Sequence, residues 1–347
     1  MIKISILIPS FNSILYIKEC LESVINQSLK EIEILCIDAY SDDGTLEVLQ
    51  KYALKDKRIK IILSDKKSLG YQINLGLEQV QGKYFTIVES DDYAHLLMCE
   101  KLWVLSQSYD CDMIKADIIG FYDKKRVKKF QNEAICYDKN LYGKILYFDD
   151  KIEILKNSCN MNQSGIYKMD FIRKFNIRAN ETLGASYQDL GLWFLMVVFA
   201  KNIYFHNEGL YFYRQDNPNA SMQSKDKVYC VCDEYKFIEN FLELHLGKNQ
   251  YFKDVFLYRK FKSYWWNIRR IDTKFRLEFF EYFAKDFEKE LTDLNDKFFT
   301  YGELKEFRKI IKNPKKFYDF YRSPFFKIIK FLARIKNTFK RYLNYAR

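Results

Sequence analysis

Short apolar runs alternate with stretches of helical periodicity over about the first ninety residues, and this alternation constrains the fold more than any other feature of the chain. "KISILIPS" (3–10), "IEILCID" (32–38), "IKIIL" (59–63) and "YFTIVES" (84–90) read as strands. Between them, "LYIKECLESVINQS", "GTLEVLQKYALKD" and "LGYQINLGLEQVQG" place apolar residues at helical spacing. Strands separated by helices of that length join as parallel βαβ units with right-handed crossovers. The runs are mostly apolar on both faces, which suits a sheet covered by helices. The expected fold class is α/β: a Rossmann-like, mostly parallel sheet flanked by helices, with ligands beyond the carboxyl ends of its strands.

Those carboxyl ends carry unusual residues. The first run ends in Pro9, Ser10, Phe11 and Asn12; the second ends at Asp38, followed by Ser41, Asp42, Asp43 and Gly44; the fourth leads straight into Glu89, Ser90, Asp91 and Asp92. Like charges at the mouth of a sheet repel one another, so this cluster calls for a cation or for hydrogen-bond donors. Taken singly, Asn12 also fits a helix cap for the run from Leu15, and residues 41–44 fit turn and cap chemistry. Together with the acidic cluster they point to a site. Two later stretches stand out, "NQSGIYKMDFIRKFNI" (162–177) and the segment 181–222. Within the latter, "LGLWFLMVVFA" reads as a buried helix with Gln188 and Asp189 in its first turn, where an acid suits the helix dipole or a cap.

From roughly residue 225 the chain is rich in Tyr, Phe, Lys and Glu at helical period, in "DEYKFIENFLELH", "LTDLNDKFF" and "GELKEFRKIIKN". This divides the chain into residues 1–222 and a helical C-terminal domain, 223–347. The net charge of +11 is concentrated at the end, with eight basic residues and no acid from Arg322 to Arg347. In that tail Phe325, Ile328, Ile329, Leu332, Ile335, Phe339, Tyr342 and Leu343 recur at helical spacing among lysines and arginines, the pattern of an interfacial helix on an anionic membrane surface. The same face could instead pack on the helical domain. Nucleic-acid binding rests only on a pI near 9.0; the acidic rim opposes it and no such motif occurs. A dinucleotide-dependent oxidoreductase would carry GxGxxG where this chain has "PSFNSI". Eight cysteines without a CxxC pair and three scattered histidines show no zinc spacing and read as free thiols in a reducing cytosol. The opening apolar run is too short for a signal peptide, and no other run approaches bilayer length.

Five segments in order, "SILIPSFN", "IDAYSDDGT", "GYQINLGLEQVQGKYFTIVESDDY", "SYQDLGLWF" and "YFYRQDNPNAS", resemble the family-2 inverting glycosyltransferases of the GT-A fold. Among these the chain looks most like the bacterial enzymes that build surface polysaccharides, capsule and lipooligosaccharide. The resemblance spans about residues 3–222. It implies transfer of a hexosyl or N-acetylhexosaminyl group from a nucleotide sugar, a UDP-sugar, to a hydroxyl of a glycan or lipid-linked acceptor, with Mn2+ or Mg2+ across the diphosphate. On this resemblance Glu89, Asp91 and Asp92 hold the metal, Ser90 and Asp91 also face the nucleotide, and Asp189 is the general base. Pro9, Phe11, Asn12 and Asp38 match the nucleobase and ribose pocket, Asn74 matches a donor-site position, and Arg214 matches a mobile loop that closes over the diphosphate. The chain departs from the family pattern at Ala39, Ile73, Gln188 and Glu89. These departures keep a second reading open, a catalytically inactive protein that binds a nucleotide sugar or glycan. With the basic tail, the resemblance implies a cytoplasmic protein at the inner face of the membrane.

Overall fold

The structure, a computed structural model, describes residues 1–124, 127–247, 251–290, 295–324 and 326. The four apolar runs become β1 (Ile4–Ser10), β2 (Ile32–Asp38), β3 (Ile59–Leu63) and β4 (Tyr84–Ile87). Between them cross α1 (Ile17–Ile25), α2 (Thr45–Ala53) and α3 (Leu69–Gln79). Every residue of β1, β2 and β4 is buried, as expected for strands covered on both faces. β1 pairs in parallel with β2 and β4, and β2 with β3. Helix α3 lies close on this half of the sheet because Gly76 has no side chain; a Cβ there would come within 2.8 Å of Leu7 and 3.0 Å of Ile37. The fourth strand stops at Ile87, earlier than the sequence suggests. The acidic residues form a turn instead, closed by the Asp92 N–H donating to the Glu89 carbonyl at 3.0 Å.

The second half of the sheet is mixed. After β5 (Tyr93–Ala94) and α4 (Met98–Tyr109) come the long strand β6 (Met113–Lys124), β7 (Val127–Glu133), β8 (Ile145–Leu146), α5 (Lys151–Asn157), β9 (Gly165–Lys168) and α6 (Met169–Lys174). Then follow α7 (Gln188–Phe199) and β10 (Ile203–Arg214). β9 is antiparallel to both β4 and β6, whereas β10 is parallel to β6. Among the described residues the sheet runs β3-β2-β1-β4-β9-β6-β10-β5, with β7 on β6 and β8 on β10. Apart from half-buried Asp189, every residue of α7 is buried. A helix that is apolar on all faces has no alternative.

Two compact units emerge, and each has its own core. The first comprises Met1–Gln223 and Cys230–Val255, the second Ser224–Tyr229 and the chain from Phe256 onward. The boundary drawn from the sequence at 222/223 does not coincide with this division, because α8 (Cys230–Leu246) covers α7. Gly191 of α7 makes room for it: a Cβ there would lie 2.5 Å from Glu234 Oε2. In the second unit α9 (Lys253–Arg270), α10 (Arg276–Phe287), α11 (Tyr301–Lys312) and α12 (Pro314–Arg322) surround a phenylalanine core. Phe261 and Phe287 each meet Phe307 edge to face, with centroids 5.3 and 5.1 Å apart. Thr300 and Glu303 form a capping box that fixes the start of α11. Of the expected helical segment "LTDLNDKFF", residues 291–294 lie outside the described residues and Asp296–Phe298 form a 3-10 turn. The basic tail, 322–347, is described only at 322–324 and 326. No described helix is long and apolar enough to cross a membrane.

Candidate active site

The carboxyl ends of β1, β2 and β4 form one rim, and its loops are tied together by side chains. Asn12, at φ 50°, does not cap α1. It donates through Nδ2 to Asp42 at 2.9 Å and accepts the Asp42 N–H at 3.1 Å, joining the loops after β1 and β2. Asp38 is fully buried and accepts from Ser10 Oγ, the Ser41 N–H and Ser41 Oγ at 2.7–2.8 Å. Gln72 of α3, not singled out in the sequence, donates to the carbonyls of Ser10 and Ile37 and so links both strand ends. Pro9 is a buried residue of β1, and Phe11 is exposed with the Lys67 ammonium 4.3 Å from its ring centre. Asn74 is buried and bonds the Ala179 N–H and carbonyl with its two amide ends, each at 2.9 Å.

At the end of β4, one oxygen from each of Glu89, Asp91 and Asp92 lies within 4.8 Å of the others. Asp92 is held most firmly, accepting from Tyr211 Oη and the Arg214 N–H at 2.7 Å each. Asp91 accepts from Asn217 Nδ2 at 2.7 Å, and Glu89 from Gln163 Nε2. Ser90 shares a 2.7 Å hydroxyl contact with Ser13. Burial, then Asp91, then Asp189 push the Glu89 carboxyl up to about 8. Burial, then its two acidic neighbours raise Asp92 as well. Three carboxyls so close, two of them driven toward protonation, form a hard-oxygen donor set that suits a divalent ion such as Mg2+ or Mn2+.

Asp189 faces the same place. It lies in the first turn of α7, behind Tyr187 at φ 69°. Burial pushes its carboxyl up to about 6, opposed by backbone N–H groups at the start of the helix. Asn162 donates to its carbonyl at 3.3 Å. The charges of Asp189, Glu89, Asp91 and Asp92 all act on the Tyr213 hydroxyl, whose pKa is raised first by burial. Gln188, which stands in place of an acid, is fully buried and structural. Its Nε2 donates to Thr182 and Gly184 oxygens at 2.9–3.1 Å while its Oε1 accepts the Ser186 N–H. A carboxylate could not make those donations.

Arg214 corrects one expectation. It is the last residue of β10, not part of a loop, and is 7% exposed. Its guanidinium packs between Tyr16 and Phe121, pairs with Glu19 at 2.9 Å and donates to the Asp91 carbonyl. Glu19 also accepts from Lys128. Neither partner is visible in the sequence, since they come from α1 and the β6–β7 hairpin. In the sequence Asn162 and Gln163 stand out only as part of the longer stretch 162–177. Lys115 could have been found, as a charge inside the apolar run of β6.

A model of the family described as "Glycosyl transferase family 2" matches residues 5–168. Those residues form a family-2 glycosyltransferase domain. The chain is 27% identical to glycosyltransferase GlyG of Streptococcus pneumoniae over 225 residues, covering 61% of this chain and 70% of that protein. It is 26% identical to the uncharacterized glycosyltransferase EpsJ of Bacillus subtilis over 226 residues, 62% of each chain. Among solved structures, residues 1–349 of S. aureus TarS superpose with a TM-score of 0.63 at 18% identity, covering 82% of this chain and 79% of that one. TarS has also been solved with UDP-GlcNAc and with UDP. These likenesses place the α/β sheet in the GT-A class, in keeping with the resemblance read from the sequence.

Proposed function

We propose that this family-2 glycosyltransferase moves a sugar from a nucleoside diphosphate sugar, a UDP-sugar, to a hydroxyl of a glycan or lipid-linked acceptor in surface polysaccharide biosynthesis, with inversion. The observation that carries the reading is the meeting of two acidic groups of different kind: the cluster Glu89, Asp91 and Asp92, and the separate carboxyl of Asp189. The likeness to GlyG and EpsJ supports glycosyl transfer, and the TarS complexes with UDP-GlcNAc and UDP support the donor class.

Glu89, Asp91 and Asp92 would hold the divalent ion. When bound, the ion supplies Lewis-acid neutralisation of charge on the leaving diphosphate. Phe11 offers an exposed ring for the nucleobase, and the Asn12–Asp42 pair keeps the rim in place around it. Asp189 accepts the proton of the acceptor hydroxyl as its oxygen bonds to the anomeric carbon. The bond from that carbon to the phosphate oxygen breaks on the opposite face, and the diphosphate leaves. A base near 6 is ionised at neutral pH yet still accepts a proton well.

Calorimetry of the full chain with UDP and with UDP-sugars, with and without Mn2+, tests this. Metal-dependent UDP binding that is lost in Asp91→Ala is expected; equal affinity with and without the ion in both proteins would overturn the metal assignment.

A further inference from the structure

We infer that Asn162 and Gln163 form a hydroxyl-recognition subsite for the transferred sugar and help select it. The inference rests on the glycosyltransferase reading and deepens it. Both side chains are buried, at 2% and 4% exposure, and both sit between the two acidic groups. Gln163 Nε2 donates to Glu89, and Asn162 Nδ2 donates to the Asp189 carbonyl. The Asp189 carbonyl only accepts, which fixes the nitrogen end of Asn162; Glu89 likewise only accepts once its carboxyl is ionised, as it would be on holding a cation, and this fixes the nitrogen end of Gln163. The other ends, Asn162 Oδ1 and Gln163 Oε1, are buried acceptors with no hydrogen-bond partner. Buried polar atoms are normally paired, so two consecutive orphans at one rim call for a donor.

The loop is built to present them. Lys115, fully enclosed in β6, donates to the carbonyls of Met161 and Gln163, and Tyr167 donates to the carbonyl of Asn162 at 2.7 Å. Three successive carbonyls are therefore drawn to one side. Ser164 takes φ 62°, and Gly165 lets the lysine stem pass beneath, since a Cβ there would lie 2.5 Å from Lys115 Cδ. A buried lysine on a central strand is costly to enclose, and here it organises this loop. The reaction requires the donor sugar to lie between the diphosphate, at Glu89, Asp91 and Asp92, and the base Asp189. Sugar hydroxyls are the donors that such a position supplies.

The test measures binding of UDP, UDP-glucose, UDP-galactose and UDP-N-acetylglucosamine, each with Mn2+, to the wild type, Gln163→Met and Asn162→Leu. Wild type should bind one of the sugars at least about tenfold more tightly than UDP. Asn162→Leu should lose most of that gain while UDP affinity is unchanged, which also reports that the variant is folded; Gln163→Met, which also removes a donor to Glu89, should lose most of the ratio of sugar to UDP affinity whatever its affinity for UDP itself. Monodeoxy analogues of the preferred sugar give a second measurement on the wild type alone. One of them should bind about tenfold more weakly than its parent, and this penalty should vanish in one of the variants if that variant folds. Intact UDP binding with no sugar preference, or with a preference untouched by both substitutions and by every deoxy analogue, overturns the subsite alone. A wild type that binds neither UDP nor any of the three sugars overturns the donor reading and the subsite with it.

Discussion

At the scale of single residues, Asp189 and Glu89 are both carboxyls raised by burial, but their surroundings differ. Asp189 sits at a helix start whose N–H groups favour its charge, whereas Glu89 is pressed by a neighbouring acid. Asp189→Asn should lower transfer by about 10²- to 10⁴-fold while leaving Mn2+-dependent UDP binding within twofold; an assay and calorimetry on the same sample check it. Their titration also affects the fold. Unfolded carboxyls ionise near 4, while folded Asp189 and Glu89 hold their protons to about 6 and about 8. The folded state thus binds more protons over this range, and stability is lost as pH rises. Glu234, pushed up to about 9, acts in the same direction. Lys115, held down at about 7, adds stability only as pH climbs above that value. Without metal, the melting temperature should fall from about pH 5 to about pH 7, and Glu89→Gln should flatten part of that fall. An unchanged slope in the variant would remove Glu89 as a source.

Among the elements, the loops that carry α3 and α7 are joined by polar side chains. Gly70 of α3 has the Asn180 carbonyl where its Cβ would be, 1.8 Å away. Gly70→Ala should therefore lower the melting temperature, even though alanine favours an exposed helix by about 1 kcal/mol. Gln188→Glu should cost about 1–3 kcal/mol in a denaturant melt, because the 182–184 oxygens lose their donor and meet a charge. These features show why sequence reading succeeds and fails here. The strands and helices of the first half were legible because burial repeats every two or every 3.6 residues. The rim residues Asp38, Asp91 and Asp92 stand out in the sequence because their charge is out of place beside apolar runs, whereas an acid at a helix start is ordinary and Asp189 stands out only through the family resemblance. Asn12 fitted a cap locally, and only the fold reveals its pairing with Asp42, thirty residues away. Bonds such as Gln163 to Glu89, or Gln72 to two strand ends, join distant segments and leave no periodic trace.

For the whole molecule, charge is divided between an acidic sheet rim and a basic tail. Each Lys or Arg near an anionic surface adds about 1 kcal/mol, so the full chain should sediment with phosphatidylglycerol vesicles more than with phosphatidylcholine ones, and deleting residues 327–347 should abolish that difference. The helical character of the C-terminal region was legible from its period, but the true division of the chain was not. Helix α8 carries enough charge to read as part of the last domain, and only the need to cover an all-apolar α7 assigns it to the first.

The placing of β9 has a consequence for how the protein is made. A nascent chain that has left the ribosome as far as β7 possesses two pieces of sheet, β3-β2-β1-β4 and the β6–β7 hairpin, and no strand to bridge them, because the missing ribbon is Gly165–Lys168. Until then two bare strand margins are open to pairing with other molecules. The stretch that matches the family closes at residue 168, the moment in synthesis when those margins can first be sealed.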